Sequence, residues 1–249
     1  MKMSRILLIT VLFAGMCLMT IQPARAAASA IVQNDSMWID PSGELHIFGE
    51  VKNTGDVWLH YVQITGTLRD ASNTIVDVVF TFTKIMYLPP GGVGGFDLSE
   101  RDTVKSARVQ SYSLVVEPDE ATPIMQNLAI LNTADSKNSY GQLEIVGEVE
   151  NQGTSISTYT EIVGTFYDIN GKVVYVGFTF TSPSDIPAGA KYGFKMTVRS
   201  DERTNQIARY TLVAESIEYT SIPETPWPIV MLAAALTLAI VALRRKESA

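Results

Sequence analysis

The chain has 249 residues, a formal net charge of −7 and a single cysteine. Setting aside Lys2, Arg5 and Arg25 near one end, and Arg244, Arg245, Lys246 and Glu247 at the other, leaves 13 basic against 25 acidic residues, a net of −12. So acidic a body excludes nucleic acid as the main partner, because phosphate binding needs clustered Lys and Arg. Cys17 is the only thiol, and everything after it lacks the means for a disulfide, a zinc–thiolate site or a cysteine nucleophile.

Residues 1–26 read as a signal peptide. Lys2 and Arg5 precede an apolar run from Ile6 to Ile21, and Ala24-Arg25-Ala26 supplies a small-x-small cleavage pattern. A cut after Ala28, or no cut at all, would export the following chain in the same way. Met16 stands where a lipoprotein signal wants a small residue before Cys17.

The middle of the chain is duplicated. Gly43–Glu117 aligns with Gly141–Glu215 at a constant offset of 98 residues, without a gap and with 28 identities in 75 positions. Gly49-Glu50-Val51-Lys52-Asn53-Thr54-Gly55 matches Gly147-Glu148-Val149-Glu150-Asn151-Gln152-Gly153, and Phe80-Thr81-Phe82-Thr83 matches Phe178-Thr179-Phe180-Thr181. Two domains follow, at 27–117 and 127–221, with a linker at 118–126. Pro118-Asp119-Glu120 through Pro123 reads as short, stiff and exposed.

Within each copy the apolar period is two. Leu45, Ile47 and Val51 share one parity, as do Ile64 and Leu68, and Val78, Phe80 and Phe82. The second copy repeats each set. Such alternation predicts half-buried strands that turn these residues to a core. Breakers separate the runs, among them Asn53-Thr54-Gly55 and Pro89-Pro90-Gly91-Gly92. Glycine is expected at positive φ in such turns, and Asn bonds back to its own backbone. Asp168-Ile169-Asn170-Gly171 reads as a hairpin turn rather than a calcium loop, since the further oxygens and distal Glu are missing. Many short strands without a helical stretch predict an all-β, antiparallel sandwich.

The Gly-Glu-Val-x-Asn-x-Gly block, Thr165-Phe166-Tyr167-Asp168-x-Asn170-Gly171, and Pro187-x-Gly189 followed by Phe194 resemble the FxLYD domain. The resemblance implies a small Ig-like β-sandwich, extracytoplasmic and often in tandem, with no catalytic residues to carry over. The second copy is nearer to the pattern; the first has Leu68-Arg69-Asp70, and Gly66 and Gly164 occupy the leading Phe position.

Ile229–Leu243 is an uninterrupted apolar run closed by Arg244-Arg245-Lys246. It predicts one C-terminal transmembrane helix within an anchor at 222–249, basic end inside by the positive-inside rule. Pro223-Glu224, the apolar run and the Arg-Arg-Lys end resemble the archaeal PEF-type sorting signal, with Thr225 where Phe is expected. That resemblance implies a tail cut and replaced by lipid. Either way the chain is placed on the cell membrane as a single-pass protein with its N-terminal domains outside.

Chemistry is scarce. His46 and His60 are expected at solvent-facing strand positions, and no G-x-S-x-G elbow or phosphate loop occurs. Glu50 and Glu148 hold equivalent places, one per copy, which suits bonding of backbone donors better than a paired acid–base site. No catalytic, cofactor or metal residue is assigned. Calcium at Asp119-Glu120 is the weaker alternative to an empty linker. Asn34-Asp35-Ser36 is a candidate glycosylation sequon. The candidate contact surface is Trp58, Tyr61, Met86 and Tyr87, because the first copy is more apolar there than the second. The expected function is a noncatalytic, membrane-anchored surface protein that binds a surface protein or polysaccharide. An accessory subunit of an envelope complex and an envelope hydrolase are the alternatives.

Overall fold

The computed structural model describes residues 28–122, 127–199 and 201–218, and they fold almost wholly into antiparallel β-sheet. The expected leader at 1–26 and tail at 222–249 lie outside the described residues. Among the described residues no helix is long and apolar enough to cross a membrane.

In the first copy β1 (Ala30–Ile39), β2 (Leu45–Asn53) and β6 (Val93–Glu100) form one sheet in the order β1-β2-β6. The second sheet is built on β3 (Trp58–Arg69), which pairs with β4 (Ile75–Phe82), the short β5 (Tyr87–Leu88) and β7 (Ser111–Ala121). Leu45, Ile47 and Val51 meet Leu59, Ile64 and Leu68 in a single buried cluster. The second copy repeats the plan: β8 (Leu128–Lys137), β9 (Leu143–Asn151) and β12 (Lys191–Val198) answer the first sheet. β10 (Thr158–Tyr167), β11 (Val173–Ser182) and β13 (Arg209–Glu218) answer the second. Its core gathers Ile145, Val149, Ile162, Phe166 and Phe194. Here the pairs Thr181↔Phe194 and Ser182↔Gly193 join both halves into one continuous six-stranded path.

The repeated asparagines tie each copy's two sheets together. Asn53 Oδ1 accepts from the Gly55 N–H at 3.0 Å, and its Nδ2 donates to the carbonyls of Val57 and Leu88 at 2.8 and 3.0 Å. Asn151 makes the same bonds to Gly153, Ser155 and Ile186. A fully buried amide that satisfies backbone groups on two elements fixes a turn far better than propensity does. Gly55 and Gly153 do not take positive φ, contrary to expectation; the left-handed glycines are Gly43, Gly91, Gly141, Gly171 and Gly189. The Asp168–Gly171 turn is as expected, with Asp168 Oδ1 accepting from Asn170 and Lys172 N–H and Gly171 at φ 83.

Two further expectations are corrected. The first concerns β4 and β11. Val78, Phe80 and Phe82 point to solvent at 53, 65 and 39% exposure, while Val76 and Val79 pack on the core. The β3–β4 register slips between Leu68 and Arg69, and one extra residue reverses the phase of every side chain beyond it. The second concerns the linker. β7 runs on to Ala121 and pairs Ala121, Glu120 and Asp119 with Trp58, Leu59 and His60, so 118–121 is strand. The structure also packs the two copies against each other. Val163, Tyr167, Val173 and Val176 of the second copy belong to the first copy's buried cluster. The sheets therefore stack in the order β4-β3-β7, β1-β2-β6, β11-β10-β13, β12-β9-β8. The β1-β2-β6 sheet is covered on both faces, and its neighbour across the junction is the outer face of β10 and β11.

Candidate interaction surfaces

An aromatic strip runs across one end of the first copy. The β3–β7 register slips between His60 and Gln63, and Tyr61 sits at φ 44. That left-handed residue turns its ring outward, 48% exposed. His60 lies between Tyr61 and Tyr87, with ring centroids 4.0 and 4.5 Å away. Tyr61 meets Phe82 at 6.1 Å, and Phe82 meets Phe80 at 6.0 Å, both edge-on, the arrangement aromatic quadrupoles favour. Partial burial pushes His60 below its ordinary value, opposed by Asp119.

Of the four expected contact residues, the structure joins Tyr61 and Tyr87 through His60. Trp58 is half-buried opposite Ala121. Met86 is also half-buried, and its backbone N–H donates to both oxygens of Glu215 at 2.9 Å. Phe80 and Phe82, expected in the core, belong to the surface. The signal was in the interleaved threonines: Thr83 and Thr181 turn inward and spend their hydroxyls on the carbonyls of Ile85 and Pro183. A threonine can be buried that way at little cost.

The junction between copies is the second surface. Glu50 is 4% exposed. It accepts from Gln33 Nε2 at 2.8 Å, Asn34 Nδ2 at 2.7 Å and the Tyr167 hydroxyl at 2.5 Å. It bonds side chains, not the backbone donors expected of it. Asn34 is at φ 58 in a bulge of β1, and its amide is committed to Glu50, so a glycan there would displace a partly buried hydrogen bond. Burial, then the bond to Glu50, pushes the Tyr167 hydroxyl up to about 12. Neither histidine is simply solvated. His46 stacks on Phe48 at 5.4 Å and bonds Asp97 at 2.9 Å, which raises its pKa against its own burial.

Arg203 reaches from the second copy to the Ser36 hydroxyl and the Val173 carbonyl, with its guanidinium 5.9 Å from the Phe48 ring. A cleft of about 280 Å³ opens there, lined by Trp38, His46, Asp97, Tyr175, Arg199 and Arg203. At the far side of the junction Glu215 is 4% exposed. Burial first, then Glu161, pushes its carboxyl up to about 7, against the pull of the Met86 and Tyr87 N–H groups. Among the described residues no group of three or more His, Cys, Asp or Glu is placed to hold a metal ion.

No family model matches the chain, and no curated protein matches it. Among solved structures, red sea bream transglutaminase is similar over 80% of this chain and 32% of that one, at 9% identity and a TM-score of 0.24. The likeness spans about a third of the transglutaminase and carries no argument about activity.

Proposed function

We propose that this chain is a noncatalytic, membrane-anchored cell-surface protein that displays two Ig-like, FxLYD-like domains and binds a surface protein or polysaccharide. The tail 222–249 carries it on the membrane as a single span, or through a lipid that replaces the tail. The observation behind the binding role is the strip of Tyr87, His60, Tyr61, Phe82 and Phe80, of which Tyr61, Phe82 and Phe80 are exposed and His60 and Tyr87 half-buried. Flat rings on a rigid sheet stack on sugar faces or seat in a partner's pockets at small entropic cost. Ordinary monomers seldom leave so continuous an apolar patch in water.

Intact cells treated with a membrane-impermeant amine reagent and crosslinker test this. Labelling of the full chain, with one crosslinked protein or a glycan lost in Tyr61→Ala/Phe80→Ala, is the expected result. An unlabelled chain on intact cells that is labelled after lysis overturns outward display. Labelling with an unchanged crosslinking pattern in the double variant overturns the aromatic strip as the contact.

A further inference from the structure

The two copies dock through different faces. The first offers the outer face of β2 and β6; the second offers the outer face of β10 and β11. Such a heterologous contact leaves the counterpart of each face open at the two ends of the stack. The first copy still has the outer face of β3 and β4, and the second still has the outer face of β9 and β12.

We infer that the chain associates head to tail with further copies of itself, the β9–β12 face of one chain covering the Val78 end of the β3–β4 face of the next in the manner of the internal junction, which leaves Phe178 and Phe180, the repeats of Phe80 and Phe82, exposed at 53 and 39%. The inference goes beyond surface display and does not depend on it. Gly95 carries the first argument. A Cβ there would lie 2.5 Å from Thr165 Oγ1 and 3.0 Å from Val176, so the junction requires glycine. Gly193 holds the repeated position, is exposed, has no positive φ, and a Cβ would meet only the Gly147 carbonyl at 3.7 Å. Nothing described within the chain demands glycine at 193. The partners that demand it at 95 have repeats at Thr67 and Val78, and Val78 is 53% exposed.

Charge carries the second. Glu50 meets Tyr167 at the junction; their repeats are Glu148 and Arg69, an acid and a base. Asp97 and Tyr175 line one cleft at the junction; their repeats are Lys195 and Asp77, again opposite, each also paired within its own copy, with Glu144 and Lys105. Glu148 is prepared as Glu50 is, accepting from Asn132 Nδ2 at 2.7 Å as Glu50 does from Asn34. Asn132 sits at φ 52 in the matching bulge of β8. Steering of this kind sets register and orientation between copies.

The full chain in its own membranes, with Cys17→Ser, allows a thiol-crosslinking test that leaves both glycines in place. Val78→Cys with Val146→Cys, both exposed positions, should give with a short cleavable thiol crosslinker a ladder of dimers, trimers and higher species. Phe48→Cys with Val176→Cys, the repeats of that pair within one buried cluster, serves as the control for an intact internal junction, closing within one chain. Glu148→Arg should cut the ladder at least tenfold, and Glu148→Arg with Arg69→Glu should restore it. Monomer alone from the first pair, while the control closes, overturns the inference and leaves outward display standing. A dimer from Val146→Cys alone means a two-fold contact through one face and overturns it equally.

Discussion

β2 and β9 are the same strand twice, with Leu45, Ile47 and Val51 answered by Leu143, Ile145 and Val149. Their inward faces behave alike, and their outward faces do not. Phe48 and Glu50 are buried against the second copy, whereas Val146 is 43% exposed and Glu148 only half-buried. Duplication preserved what each sandwich needs for itself, the inward apolar parity and the cross-sheet asparagine. Some outward residues differ with what lies against them: Phe48 is Val146 in the second copy, and Tyr167 stands where the first copy has Arg69. Others are identical and still face outward, among them Glu50 and Glu148, Gly95 and Gly193, and Phe80 and Phe178, so identity alone does not mark the core.

The largest expected way to break the comparison is pH. Glu215 has an ordinary value of 4.5 and is raised to about 7 at the junction. An acid raised on folding contributes stability that is complete below about 4.5 and is lost as pH rises through 7. Thermal unfolding of the full chain should fall across that window by on the order of 3 kcal/mol. Glu215→Gln should flatten most of the slope, leaving a smaller fall near neutrality from His46, whose raised value has the same sign. An unchanged slope in Glu215→Gln would show that Glu161 or another group sets it.

Next comes Glu50→Ala, which strands Gln33, Asn34 and the Tyr167 hydroxyl. It should cost about 2–3 kcal/mol, roughly 4–12 °C in Tm for a chain of this size. Glu148→Ala should cost less than about 1 kcal/mol, since its Asn132 partner is exposed to water. Equal losses in calorimetry would mean the junction is no more demanding than the open face. Gly95→Val should cost about 2 kcal/mol by overpacking against Thr165 and Val176, and Gly193→Val in dilute, unassociated chain close to nothing. The smallest effect is expected for Phe80→Ala, below about 0.5 kcal/mol, because the ring is 65% exposed. Its readout is reduced binding of a hydrophobic dye, and a loss of 2 kcal/mol or more would return Phe80 to the core.

Much of the fold was legible. The 98-residue repeat and the two-residue period located β2, β3, β9 and β10 and their inward residues, because alternation is imposed by backbone pleating and needs no knowledge of the partner. The same signal failed at β4. One inserted residue against Leu68–Arg69 reverses the faces, and no composition rule records a bulge. Of the candidate surface, Tyr61 and Tyr87 were legible because their stretches are more apolar than the second copy's, although Tyr61 itself is repeated as Tyr159. Phe80 and Phe82 were missed because phenylalanine on an alternating strand reads as core until the register is known. The junction was invisible: Glu50, Asn34 and His46 look like ordinary polar strand residues.

The sequence by itself determined the duplication, the all-β class, the strand periodicity and the asparagine-anchored turns, since each follows from contacts within one repeat. Only the tertiary structure decided which face of β4 meets water and that β1-β2-β6 is covered twice. It also decided that a glutamate and a tyrosine 117 residues apart share one proton-donating bond. Those outcomes depend on register and on the docking of one sheet upon another, which are properties of pairs of surfaces and not of any single stretch of chain.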